Sequence, residues 1–568
     1  MLRFFIFLFS IIPLLAHANE ESIRINQIGY YPDAPKIAIA IGDTKTDAFS
    51  LLDESGKTVF EGKLGKPIYW AKSEETARKA DFSEFSKSGR YRLKVGDNVS
   101  WPFFIQQDVW NEVSIAMMKS YYLQRASMSL DEKYAGIYKR KAGHPDTDAV
   151  FHPSTGKKGR LNAPGGWYDA GDFGKYIVSA SFTIANMMSL MELVPNAYPD
   201  SSLNIPESGN GISDLLDEVR YELEWMKKMQ DTDGGVFVKM TSDIYPDMMF
   251  PHTDPLQRNV YGKSTASALN FSAAMAMAYR LFTPIDAKWA KDCLERSERA
   301  WKWARKNPNV IFTNPEGVLS GAYSNSDMSD EFLWAASELL ISTEKSKYKK
   351  YLAKNIEALK SYEKPTWPNE KGLGIMSLIV HREALPKKLK NVVEKSIKEW
   401  SDKTLQDMNA SAYQVPEIEF TWGSNGDMGS AGLSFIYTYQ ITGDQQYLDA
   451  AAAVADYILG KNATGYNFVT GFGSKQVVNL HHSVSIADGI PGSLPGYIPG
   501  GPNADLEDAV TDAHGEAAAY ASTLPAKAYV DSQLSYSSNE NDILYTSPNL
   551  ALITALHHHY SALATKQK

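Results

Sequence analysis

At 568 residues, 43% of them hydrophobic and 22% charged, the chain is too long for one ordinary domain and is globular rather than disordered. Its 58 basic against 67 acidic side chains leave a mild acidic excess, which argues against a polyanionic partner such as nucleic acid. The single cysteine, Cys293, excludes an intrachain disulfide, so packing must supply stability. At the start, Arg3, the apolar run Phe4 to Leu15 and the ending Ala16-His17-Ala18 make a secretory signal of residues 1–18. The mature protein is therefore expected in a periplasm or outside the cell, and no later stretch is long and apolar enough to predict a membrane span.

Residues 19–106 alternate in short segments: Ser22 to Gln27, Lys36 to Ala40, Ala48 to Asp53, Tyr91 to Val95 and Trp101 to Ile105. Gly, Pro and Asp punctuate them, which predicts a small all-β sandwich. From residue 107 to 568 the texture is helical. Ile212, Leu215, Leu216, Val219, Leu223 and Met226 recur at three and four, with comparable faces at Ala266 to Leu281, Phe332 to Leu340 and Leu433 to Leu459. Paired helices suggest a ring or solenoid of hairpins. The lysine-rich run Lys345 to Lys364 reads as a solvated face, whereas long polar and aromatic loops such as Phe468 to Asn503 are expected to be functional.

One stretch concentrates chemistry: Gly165-Gly166-Trp167-Tyr168-Asp169-Ala170-Gly171-Asp172-Phe173-Gly174-Lys175-Tyr176. Its glycines allow tight turns and close approach, its aromatics offer flat faces for sugar rings, and Asp169 and Asp172 stand just before an apolar stretch. If that stretch is a helix, Asp172 lies at or beside its N-terminus, where the macrodipole keeps a carboxylate ionised and able to act as a base. The same position suits a plain N-cap.

The chain resembles glycoside hydrolase family 9 over nearly its whole mature length. Arg24-Ile25-Asn26-Gln27-Ile28-Gly29-Tyr30 is similar to the start of the immunoglobulin-like domain that precedes the catalytic domain in one branch. The Gly165 to Tyr176 stretch is similar to the family's water-activating motif. Asn204 to Gly211, Asp330 to Ala336, Trp422 to Asn425, Phe468 to Gly473, Gly500 to Asn503 and Ser535 to Glu540 follow in family order. The resemblance implies a mainly α fold, a six-hairpin (α/α)6 toroid, behind the Ig-like sandwich. It implies an inverting hydrolase of β-1,4-linked sugar chains that requires no cofactor, with Asp172 as general base, Asp169 as holder of the attacking water and Glu540 as general acid. Inversion needs the acid and base on opposite faces of the sugar, roughly 6.5–9.5 Å apart. Tyr536, Ile543, Leu544 and Tyr545 flank Glu540 and are expected to desolvate it, which would hold its proton. Trp167, Tyr168, Trp422, Tyr536, His481 and His482 are the candidate sugar contacts.

Departures from the family pattern shape further expectations. Where the family often has a zinc site of two cysteines and two histidines, the matching positions are Ala126, Gly143, His144 and Phe173, so no zinc is expected. Leu480-His481-His482-Ser483 lacks the family's arginine after the histidine pair, Val238 replaces another family histidine, and Asp542 adds a carboxylate after Glu540. These changes would suit a substrate bearing ammonium groups, so an exo-β-glucosaminidase acting on chitosan oligosaccharides stands as the alternative to a cellulase or cellodextrinase. Two acidic clusters, Asp327/Asp330/Glu331 and Asp505/Glu507/Asp508, are candidates for calcium. The reading from another class is a carbohydrate-binding protein without catalysis, and retention of Asp169, Asp172 and Glu540 speaks against it.

Overall fold

The computed structural model describes residues 20–510 and 517–566; the signal segment 1–18 lies outside the described residues. Two sheets form first. One places Ile23–Arg24, Ile37–Ile41, Glu75–Asp81 and Ile68–Trp70 side by side, and the other Gly29–Tyr30, Phe103–Ile105, Gly89–Val95, Ala48–Asp53 and Thr58–Lys63, with Asn98–Val99 on Gly89–Val95. Gly89–Val95 alternates as a half-buried strand should, with Tyr91, Leu93 and Val95 inward. Ile37–Ile41 does not alternate, because both its faces are covered. Ala38 and Ala40 enter the sandwich core, while Ile39 joins the core of the helical region.

The sandwich is fastened to the helices through the Arg24 to Tyr30 stretch. The Gln27 N–H donates to Leu459 O (2.9 Å), its amide nitrogen to Gly465 O (2.7 Å), and its amide oxygen accepts from Ser474 N and Lys475 N. Asn26 Nδ2 donates to Asp456 Oδ1 at 2.8 Å.

Twelve helices of nine residues or more follow among the described residues. They are α1 (Asn111–Leu123), α2 (Ile177–Leu193), α3 (Asp214–Lys228), α4 (Thr265–Phe282), α5 (Ala287–Lys306), α6 (Ser329–Thr343), α7 (Ser346–Lys354), α8 (Lys371–Val380), α9 (Lys387–Ala410), α10 (Ser424–Thr442), α11 (Gln445–Ile458) and α12 (Ile543–Lys566). The even-numbered helices pack in a closed ring, α2 on α4, α4 on α6, and so on until α12 meets α2; each odd helix packs outside a ring member. Sequence separates the layers. Outer α5 buries only Ala290, Cys293, Ser297, Ala300, Trp301 and Ala304, one stripe at helical spacing. Inner α2 buries everything from Ile177 to Met191, and each fully buried Leu, Ile, Met or Phe there contributes about 1.5–3 kcal/mol. α12 tolerates Pro548 near its start: the proline cannot donate a backbone N–H, and the Ser547 hydroxyl donates to Leu544 O instead (3.3 Å).

The loop ahead of α2 differs from the expectation that Asp172 begins a helix. Lys175–Tyr176 first forms a strand on Lys239–Thr241, Tyr176 is the N-cap, and α2 starts at Ile177. Asp172 lies beyond the first turn, where the macrodipole fades.

Candidate active site

Five of the six inner helices send the segments that lead into them to one cleft: Asp169 to Tyr176, Gly321 and Tyr323, Pro365 to Pro368, Thr421 to Gly423, and Glu540 with Asp542. The cleft has a volume of about 1270 Å³, above the ~300–1,000 Å³ of ordinary small-molecule pockets. Among the described residues, none of the sandwich lines it.

Its floor is laced by backbone. Ile543 N donates to Asp169 O (2.8 Å), Ser483 N to Gly171 O (2.9 Å), His481 N to Asn539 O (3.0 Å) and Gly500 N to Glu540 O (2.9 Å). Gly171 makes this possible, because a Cβ there would sit 2.2 Å from His481 O and 3.1 Å from Glu540 Oε1. The loop carrying Asp169 and Asp172 is braced from below by ions. Lys175 Nζ bonds Gly165 O and pairs with Asp146 (2.6 Å), which also pairs with Arg258 (3.1 Å), and Arg258 Nη1 holds Phe173 O. Those two cations hold the Asp146 carboxyl down at about 2 despite its burial. The Ser535 to Glu540 segment is held from the other side by Asp508, which accepts from Tyr520 Oη, Ser535 Oγ and Ser537 N.

Each floor carboxylate has one fixed oxygen. Glu540 Oε1 accepts the Gly171 N–H at 3.1 Å, and Asp172 Oδ1 accepts the Gly174 N–H at 3.0 Å. Asp169 Oδ2 accepts the Tyr323 hydroxyl at 2.6 Å, while its Oδ1 has no hydrogen-bond donor among the described residues. Burial raises the pKa of all three. Glu540 is pushed well above the carboxylate range by burial, with the Asp172 and Asp542 charges adding to it. For Asp172 the Gly174 N–H, Arg258 and Lys239 oppose the desolvation, yet the shift is still upward, the reverse of the helix-dipole expectation.

The aromatic and histidine candidates divide. Trp422, 45% exposed, packs 5.6 Å from Tyr536, and both line the cleft with His481. His481 Nδ1 lies 2.5 Å from Gln533 O, which makes it the donor; burial keeps the ring neutral, so Nε2 is left as an acceptor. Trp167 and Tyr168 are each 1% exposed and outside the cleft lining, so neither offers a sugar a face. The Trp167 indole donates to Glu218, and the Tyr168 hydroxyl bonds His144. His482 is likewise buried: its Nδ1 accepts from Ser485 N to cap the short helix Ser483–Ala487, which leaves Nε2–H to donate to Gln124 Oε1 (3.3 Å). Tyr323, Tyr245 and Trp367 line the cleft and are absent from the sequence-derived set.

The metal expectations are tested by donor chemistry. Of the positions matching the zinc ligands only His144 has a donor atom, and both its nitrogens are engaged, Nδ1 by Tyr168 Oη and Nε2 by Asp254. The site does not fit zinc. Of the acidic clusters, Asp505/Glu507/Asp508 is not gathered: Glu507 bonds Asn503 and Asp508 fixes the Ser535 segment. Asp327 is exposed and spends a carboxylate oxygen on Ser329 N, while Glu370 joins Asp330 and Glu331, their ligand atoms all within 4.8 Å. Among the described residues Glu331 Oε2 and Glu370 Oε2 are buried without donors, and burial together with the neighbouring Asp330 pushes Glu331 up to about 10. Three buried carboxylates, two of them with an orphaned oxygen, fit a hard cation.

A helical double ring with a carboxylate-floored, aromatic-walled cleft defines a glycoside hydrolase. The glycosyl hydrolase family 9 model matches residues 110–553, and that of the cellulase N-terminal Ig-like domain matches residues 18–100. The chain belongs to glycosyl hydrolase family 9. It is similar to a xyloglucan-specific endo-β-1,4-glucanase of Bacteroides ovatus, 35% identical over 94% of each chain. It is also similar to a cellulose 1,4-β-cellobiosidase of Acetivibrio thermocellus, 32% identical over 94% of this chain and 67% of that one. Among solved structures, a family 9 protein of Bacteroides ovatus superposes with a TM-score of 0.88 at 34% identity, covering 95% of this chain and all (100%) of that one.

Proposed function

We propose that the protein hydrolyses β-1,4-linked glucan backbones with inversion, Asp172 acting as general base, Asp169 holding the water and Glu540 acting as general acid. The observation that carries this is the free oxygen on each carboxylate. With Asp172 Oδ1 on Gly174 and Asp169 Oδ2 on Tyr323, Asp172 Oδ2 is left to take a proton from water, and the buried Asp169 Oδ1 is the second oxygen on that loop without a protein donor among the described residues. Glu540, fixed through Oε1, keeps Oε2 for the proton that the leaving glycosidic oxygen needs, and its raised pKa keeps that proton near neutral pH. Trp422 and Tyr536 serve as sugar platforms and His481 as a hydroxyl acceptor.

A glucose-type chain is favoured by the relatives, two of which are named for glucan substrates. The glucosamine reading needs Asp542 free for an ammonium group, but its oxygens are committed to Leu544 N (2.7 Å) and Tyr323 Oη (3.2 Å). Residues 1–18 serve as an export signal, 19–106 as a buttress and 107–568 as the catalytic domain, with calcium held by Asp330, Glu331 and Glu370 as a structural brace between α6 and α8. The test is early product analysis on cellotetraose, a xyloglucan oligosaccharide and deacetylated chitotetraose, read by anomeric NMR. Release of the α-anomer from a glucose backbone is expected; β-anomer release, or cleavage of the amino oligomer alone, overturns the reading.

A further inference from the structure

We infer that Asp542 is a positioning residue that works as a protonated carboxylic acid: it donates to the Tyr323 oxygen, so that the one Tyr323 proton is delivered to Asp169. This rests on the reading of Asp169 as the water-holding carboxylate.

The argument is a proton count. The Tyr323 hydroxyl oxygen lies 2.6 Å from Asp169 Oδ2 and 3.2 Å from Asp542 Oδ2, but a phenol has a single proton to give. If both carboxyls were ionised, one contact would set an anionic oxygen against a phenol lone pair in a buried site. Both side chains are buried, and neither Asp169 nor Asp542 has a cation among the groups that act on it among the described residues. The groups that face them supply no compensating charge: Ser179 from α2, Asp172 from the same loop, Tyr121 from α1, and Glu540 and Tyr545 beside the start of α12. One added proton resolves the conflict. Asp542 is its holder, because Oδ1 is already taken by Leu544 N–H and Oδ2 points at Tyr323. Asp169 receives the shorter contact, and its Oδ1 is buried without a donor among the described residues. Burial pushes both carboxyls upward, the Asp542 charge adding to it at Asp169 and the Asp172 charge adding to it at Asp542, in keeping with one proton held between them.

The hydroxyl is held where this chain of bonds needs it. Tyr323 has φ 45°, a left-handed backbone costly for a tyrosine, and its ring is wedged edge-on between Tyr176 (5.0 Å) and Trp367 (5.4 Å). Lys239 Nζ pins the segment ahead of it through Ser320 O, Ser320 Oγ and Gly321 O.

Exchanging the carboxyl for an amide separates an acid from an anion, so the test compares Asp542→Asn with Asp542→Ala in the full chain. The amide keeps a donor for Tyr323 and an acceptor for Leu544 N, and kcat is expected to fall no more than a few-fold. Alanine removes the donor and should cost about tenfold to a hundredfold in kcat, with KM nearly unchanged, as for a lost hydrogen bond to a charged group. In a Tyr323→Phe background the two variants should become equal. Wild-type minus Asp542→Asn infrared difference spectra of the free enzyme at the working pH should show the carbonyl stretch of a protonated carboxyl. A carboxylate stretch in its place, or equal losses for the asparagine and alanine variants, overturns the proposal. The spectrum reads the proton without turnover, so failure of the glucanase reading would not be mistaken for failure of this one.

Discussion

Two groups of acids stand at the same end of the inner ring, and burial raises pKa values in both. Asp169, Asp172 and Glu540 stand before α2 and α12, whereas Asp330 and Glu331 open α6 and Glu370 caps α8. What separates them is where the unfixed oxygens point. In the cleft each carboxylate spends one oxygen on a single donor, and Asp172 and Glu540 stay partly exposed to space that a sugar can fill. In the wall the carboxylates turn toward one another, and two oxygens stay buried without donors. Desolvation alone therefore does not mark a catalytic acid. On the proposed reading, the same chemistry transfers protons when it faces a cleft and holds a cation when it faces itself.

The largest effects should come from the cleft group. Glu540→Gln and Asp172→Asn are each expected to lower kcat by at least ~10²–10⁴-fold, with oligosaccharide affinity by calorimetry retained. Glu370→Gln, by contrast, should leave kcat close to wild type while lowering the melting temperature. If Glu370→Gln lost turnover like Glu540→Gln with melting unchanged, the division between the groups would collapse. Next comes Gly171→Ala, which pushes a methyl into His481 O and the acid's anchor. A displacement near 1 Å at the floor should cost roughly 10²-fold in kcat; full activity would show that the lacing of the floor is dispensable.

The pH profile sharpens the comparison further. On the proposed assignments Asp172 works ionised and its pKa is raised above the ordinary 3.8, so activity is lost as pH falls through that raised value. Glu540 must be protonated and is raised well above 4.5, so activity is lost as pH climbs through its own. Both limbs of kcat/KM should therefore lie on the high side of the free carboxyl values. An alkaline limb near 4.5 would remove Glu540 from the acid's role.

What the sequence revealed follows from how local each feature is. The Gly165 to Tyr176 and Ser535 to Glu540 stretches place their aspartates and glutamate by short-range turns, so the three carboxylates were legible. Sequence neighbours of those residues were not thereby neighbours of the substrate. Gly165 and Gly166 take φ of 94° and 80°, and the chain turns Trp167 and Tyr168 into the core behind Asp169. The start of α2 was misplaced because Lys175–Tyr176 is drawn into a strand by a partner more than sixty residues on, Lys239–Thr241. Tyr323, Trp367 and Glu370 come from interhelical segments with no periodic signal. Only closure of the ring brings them to the site, and no local pattern encodes that closure.

The smallest effect expected is the wall group's response to calcium. A cation bound only by the folded state stabilises it by about 2.7 kcal/mol when present at a hundred times its dissociation constant, a shift of a few degrees in a chain of this size. Binding requires the carboxylates in their ionised form, so the gain should grow as pH rises. Calorimetric melting with calcium, and again after chelation, should differ in wild type and agree in Glu370→Gln. A chelator that leaves the wild-type melting temperature unmoved at pH 8 would mean that Asp330, Glu331 and Glu370 share protons rather than a metal. The orphaned oxygens of Glu331 and Glu370 would then be hydrogen-bonded carboxyls, and the two groups of acids would differ only in their access to substrate.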